Sequence, residues 1–166
     1  MRSHILLLGV TAAALVIAGE SRTLAVPGET RNGVSVPGVR RSDLAWQHWV
    51  LNCQGCHRED GSGSEGTAPR LAGFVARFTR VDGGREYLAR VPGVATAALS
   101  DSDLAELLNW ILWRFDQEHL SGSFIPYTAA EVALLRRRPL RTEAPLVRAD
   151  LMKKVARSAD TGKRGT

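Results

Sequence analysis

Sulfur is scarce in this 166-residue chain: two cysteines and two methionines are all it has. Two cysteines are too few for a disulfide framework. No second cysteine pair and no His-x-x-x-His accompanies them, so the usual four-ligand zinc patterns are missing. No Gly-x-Gly-x-x-Gly follows a strand-like run, which removes the common dinucleotide fingerprint. Lysine is confined to Lys153, Lys154 and Lys163. No segment beyond residue 25 approaches the roughly 20 apolar residues of a membrane span. There is no internal repeat. The net charge of +5 is modest, and no nucleic-acid partner is expected.

The chain's start reads as an export signal, residues 1–25. Arg2 and His4 give a short positive beginning, and residues 5–18 form a 14-residue apolar run. That is short for a span but right for a signal peptide. A small-residue cleavage site follows between 19 and 25. The mature protein is therefore expected outside the cytoplasm, in the periplasm or an equivalent space, without a transmembrane span. Residues 26–41, "VPGETRNGVSVPGVRR", have the glycine and proline content of a linker.

Helical patterns come next. Asp43 can cap a first helix, on which Ala45, Trp46, Trp49, Val50 and Cys53 share one face. A short helix over 85–91 must stop before Pro92. The clearest helix starts at Ser100, with Asp103 completing a near-capping box. Its apolar stripe is Leu104, Leu107, Leu108, Ile111, Leu112 and Phe115. Trp113 sits on the opposite, polar face beside Glu106 and Asn109, and the segment "FIPY" (124–127) is expected to cover it. Thr128 and Glu131 mark another short helix, ending before Pro139. From residue 136 onward there are ten Lys or Arg and three Asp or Glu. The end, 156–166, reads as a disordered basic tail.

Both cysteines lie in "CQGCH", residues 53–57. Two cysteines three apart can each form a thioether to a vinyl group of one haem. The following histidine then lies beneath the iron and can bind it. The motif makes cofactor loss covalently difficult and specifies the proximal ligand. A thioredoxin-like redox pair would follow a strand, whereas an amphipathic helix leads into this one. One covalently attached haem c is the expected cofactor, on Cys53, Cys56 and His57.

With those residues in view, the chain resembles the class I cytochrome c family over about residues 42–115. The resemblance rests on the helix before "CQGCH", the glycine loop "GSGSEG" (61–66), "APRLAG" (68–73) and a last helix with an aromatic-rich stripe. It implies an all-α fold, with a haem domain at 42–116 and a helical or irregular C-terminal extension at 117–155. It implies that Pro69 offers its carbonyl to the His57 ring, that Leu71 packs on the haem, and that the pairs Trp46/Trp49 and Trp110/Phe115 mark where the first and last helices cross. The c-prime type is excluded, because it carries its motif near the end of a four-helix bundle.

Members of the family usually supply a methionine above the iron, next to a proline; here the residue before Pro92 is Val91. No Met, His or Lys lies between His57 and His119. The distal ligand is left open, with His119, Met152, Tyr87 and His48 as candidates beside a position filled by no side chain of this chain. The expected function is a periplasmic monohaem carrier rather than an enzyme. It would pass single electrons from a donor dehydrogenase to an acceptor cytochrome or oxidase, with an acidic surface suiting the basic tail. The alternatives are a haem protein with an open sixth site, acting as a gas sensor or peroxidase-like catalyst, or a haem subunit of a dehydrogenase complex. Arg77, Arg80, Arg85 and Arg90 are nearby in sequence, and they read as solvated. If the haem is covalent, it stays with the polypeptide on a gel after acid–organic extraction. Cys53→Ala and Cys56→Ala should each lower the holoprotein yield.

Overall fold

The computed structural model describes residues 35–164. The expected signal peptide and residues 26–34 of the expected linker lie outside the described residues. Seven α-helices are present among them: α1 Ser42–Asn52, α2 Gln54–His57, α3 Gly84–Arg90, α4 Pro92–Ala95, α5 Asp101–Asp116, α6 Ala129–Arg136 and α7 Ala144–Arg164. Two 3₁₀ turns, Val75–Arg80 and Gln117–His119, complete the list. No strand occurs among the described residues, only an isolated bridge between Ser64 and Ala68. The fold is all-α, as the helical patterns predict.

Helix α5 is the axis. Its stripe of Leu104, Leu107, Leu108, Ile111, Leu112 and Phe115 is buried throughout. Each such side chain contributes roughly 1.5–3 kcal/mol. Ser100 caps the helix by accepting from the Asp103 N–H at 3.1 Å, and its hydroxyl also donates to the Asp103 carboxylate. Helices α1 and α6 pack on α5, and α3 packs on α6 and the Val75–Arg80 turn.

The face of α5 that looks solvated in the sequence is buried too. Glu106 accepts from the Arg40 and Arg41 backbone N–H groups at 3.2 and 3.1 Å, and from Arg40 Nε at 3.0 Å. Asn109 donates to the Gly38 and Tyr127 carbonyls and accepts from the Tyr127 N–H. The last residues of the expected linker are thus docked on α5. The "FIPY" segment reaches α5 through Tyr127 on Asn109, while Trp113 stays half-buried. Both buried polar side chains are matched, as burial requires.

Four local expectations need correction. Asp43 lies inside the first turn of α1, whose N-cap is Arg41 with no side-chain cap. Trp46 is 49% exposed, while Trp49 is 1% exposed, so α1 buries a narrower stripe than its apolar residues suggest. Thr128 caps α6 by accepting from the Glu131 N–H. The Glu131 carboxylate turns away from the cap to hold Arg85 through two bonds of 2.5 and 2.8 Å. Lastly, α7 continues to Arg164, past residue 156 where the sequence predicts a disordered tail. Val147, Leu151 and Val155 recur every four residues along it, Leu151 and Val155 are buried, and the helix packs on α3 and the Val75–Arg80 turn. That stripe offsets the charge around it.

Arg136 ties α6 to the segment after α4. Its guanidinium donates to the carbonyls of Ala95, Ala97 and Leu99 and to Asp101. Lysine has no planar fork to replace this. Asn109→Ala should destabilise the holoprotein by about 2–4 kcal/mol in urea unfolding, because three buried backbone groups lose their partner. Arg136→Lys should cost about 1–3 kcal/mol for the same reason.

Candidate haem site

Helix α1 ends where Cys53 interrupts it, its N–H still bonded to the Trp49 carbonyl. The single turn α2 then carries Cys56 and His57. From there to residue 73 the chain is stitched back on itself. Gly63 N–H donates to the His57 carbonyl, Ser64 Oγ to the Cys56 carbonyl at 2.8 Å, and Arg58 Nε to the Gly63 carbonyl at 2.7 Å. Leu71 N–H reaches the Gly61 carbonyl, and Gly73 N–H the Phe115 carbonyl, each at 2.8 Å. Two glycines are required here. Gly61 and Gly63 have φ of +71° and +79°, a region most side chains avoid. A Cβ would stand 2.7 Å from Phe115 Cδ1 at Gly61, and 2.5 Å from the Ala68 carbonyl at Gly63.

This stitching brings the Pro69 carbonyl to 2.9 Å from His57 Nδ1. A carbonyl can only accept, so Nδ1 carries the proton and Nε2 keeps its lone pair. Burial holds the His57 pKa below its ordinary value, opposed in part by the Pro69 bond. The ring is thus biased toward neutral imidazole, the form that binds a metal. Burial, with Cys56 alongside, pushes the Cys53 thiol up to about 11. A low-pKa redox thiol is the opposite case.

Cys53, Cys56, His57, Pro69 and Leu71 all line one cavity of about 970 Å³. That is the upper end of cofactor sites, about 300–1,000 Å³. Apolar side chains from α1, the Val75–Arg80 turn, α3, α4, α5 and α7 close it, among them Trp49, Val75, Leu88, Val94 and Ile111, with Val91 between α3 and α4. The residues present fit a haem: two thiols, an imidazole with a free lone pair, and a large apolar slot. Bound there, a haem supplies a one-electron iron couple. The Trp49 ring lies 4.7 Å from Phe115 and 6.2 Å from both Trp110 and His57. So Trp49 makes the aromatic contact of α1 with α5, while Trp46 is 49% exposed.

The structure separates the distal candidates. His119 is not at the cavity. Its Nδ1 donates to Asp116, and its Nε2 accepts from Arg77 at 2.7 Å, since arginine can only donate. Both ring nitrogens are engaged, which answers the expectation that His119 could fold back. Met152 is half-buried on α7, and His48 on α1; neither lines the cavity. Tyr87 does line it, as does Val91. Arg77, Arg80, Arg85 and Arg90 do not. The arginines at the cavity are Arg70 and Arg148. In sequence Arg148 is one more basic residue of the C-terminal segment. Its position is hinted only by the Val147, Leu151, Val155 stripe, which docks α7.

A helical fold closed around a Cys-x-x-Cys-His motif defines a monohaem c-type cytochrome. The chain is 35% identical over 112 residues to a cytochrome c-552 of Thermus thermophilus, spanning 57% of this chain and 86% of that protein. It is equally similar to a second cytochrome c-552 of the same species, of which it spans 76%. No family model and no solved structure matches. The chain belongs to the class I cytochrome c family, and carries one covalently attached haem c as an electron carrier. Trp49→Ala should cost about 3–5 kcal/mol in denaturant unfolding, as removal of a fully packed aromatic does. Trp46→Ala, on the exposed side of the same helix, should stay within about 0.5 kcal/mol.

Proposed function

We propose that the protein shuttles single electrons in the periplasm between a donor dehydrogenase and an acceptor cytochrome or oxidase. The haem would be held by thioethers to Cys53 and Cys56, with His57 as proximal ligand, Pro69 orienting that ligand and Leu71 packing on the macrocycle. The single observation that carries the reading is the exposure of Cys56 at the cavity rim, beside a half-buried Cys53 and His57. A group attached to both cysteines would meet solvent on the Cys56 side, where a partner can approach. Residues 42–116 form the haem domain in this reading, and from the extension at 117–155 Ala144, Pro145 and Arg148 line its cavity. No helix among the described residues is long and apolar enough to cross a membrane. Residues 1–25 remain the export signal.

The basic residues after 136 support an acidic partner surface. Arg137, Arg141 and Lys153 are exposed. Charges of this kind act on encounter rates and are screened by salt. The test is stopped-flow reduction and reoxidation of the mature holoprotein by its native donor and acceptor across ionic strength. The second-order rate should fall as salt rises. Arg137→Glu with Lys153→Glu should slow the low-salt reaction about tenfold and leave the high-salt rate nearly unchanged. A wild-type holoprotein that cannot be cycled reversibly by one electron would sink the reading.

A further inference from the structure

A side chain can ligate the iron of a haem held by Cys53, Cys56 and His57 only from the wall of their shared cavity. Imidazole, thioether, thiolate and phenolate are the side-chain groups that serve as axial ligands. Outside the motif, the described residues that carry such groups are His48, His119, Met152, Tyr87 and Tyr127. The fold holds four of these elsewhere. His119 is engaged through both ring nitrogens, by Asp116 and Arg77. Tyr127 is buried, with its hydroxyl donating to the Arg85 carbonyl at 2.7 Å. His48 sits on α1 with its Nε2 sealed from solvent, and Met152 packs against the core from α7. None of the four lines the cavity, and neither do Lys153 and Lys154.

Tyr87 is the exception, buried on α3 and on the cavity wall. Its phenolic oxygen is a hard donor, poorly matched to iron in its softer, reduced state. Apolar side chains share the wall with it, among them Val75, Leu88, Val91, Val94 and Ile111. Pro92 and Gly93 line the cavity and are also exposed, so the cavity meets solvent at that stretch. Nothing lies within 4 Å of the place a Gly93 Cβ would take. We propose that no side chain of this chain ligates the reduced iron opposite His57, and that a small neutral diatomic molecule, of the class of carbon monoxide and nitric oxide, binds there instead. An uncharged ligand enters apolar surroundings without the desolvation cost of a charge. It binds through its own lone pair, so no bond to the protein breaks and no proton moves. A ligand that binds only the reduced state stabilises that state, and so holds the carrier reduced. The proposal rests on His57 being the proximal ligand.

The experiment mixes the reduced holoprotein with carbon monoxide and follows the visible spectrum. The wild type should show a saturable one-to-one change, with an observed rate that rises in proportion to carbon monoxide and does not level off. Tyr87→Phe, Met152→Leu, His48→Gln and His119→Gln should each bind at a rate within about threefold of the wild type, because none removes a competing ligand. Once carbon monoxide exceeds its dissociation constant, each further tenfold rise should raise the midpoint potential by about 59 mV. A reduced spectrum insensitive to carbon monoxide overturns the proposal. So does a rate that reaches a plateau, since a side chain must then leave the iron first. A variant whose rate rises about tenfold or more also overturns it, and names that side chain. If carbon monoxide fails but the protein still cycles one electron reversibly, the carrier reading stands and only this site falls. If carbon monoxide binds as expected but the protein does not cycle, the carrier reading falls and this site stands.

Discussion

One hydrogen bond, from His57 Nδ1 to the Pro69 carbonyl, organises the site. It decides which imidazole nitrogen keeps a lone pair and where that lone pair points. Delivering the carbonyl takes the whole segment from 58 to 71. Gly61 and Gly63 make turns that no β-carbon would permit, and Arg58 and Ser64 pin the loop to the motif's own backbone. The loop is then clamped to α5 through Gly73 and Phe115. The bonds that orient the His57 imidazole and the bonds that pack the loop are thus one set.

Helix α5 in turn holds nearly everything else. Its apolar stripe makes the core, and its polar residues act as sockets. Glu106 takes the chain before α1, Asn109 takes Tyr127, and Asp116 accepts from the Ala76 N–H at 2.7 Å. Buried polar groups of this kind are stabilising only when fully matched, and they then select one arrangement of the chain. Asp116 also occupies His119, and so keeps that imidazole out of the haem cavity.

The C-terminal extension changes meaning in this setting. Its basic residues suggest a solvated tail, but its few apolar residues are spaced to dock as a helix. Once docked, α7 places Ala144, Pro145 and Arg148 on the cavity wall. The C-terminal segment thereby forms part of the cavity wall.

Local chemistry was legible in the sequence, because its causes are local. The spacing of Cys53, Cys56 and His57, the α5 stripe, the caps at Ser100 and Thr128, and the stop at Pro92 depend on near neighbours only. The family likeness added Pro69 and Leu71, which the fold brings to the same cavity as the motif. What only the tertiary structure decided involves residues far apart in the chain. Trp46 and Trp49 share an apolar face, yet α5 covers only one of them. Glu131 has a cap position, but a bidentate Arg85 on α3 is the better partner for its charge. His119 follows α5 closely, yet Asp116 and Arg77 engage both its nitrogens. Arg148 stands among ten basic residues that look alike in sequence. Only the docking of α7 by Leu151 and Val155 turns that one toward the haem cavity, because burial is set by which faces meet and not by composition.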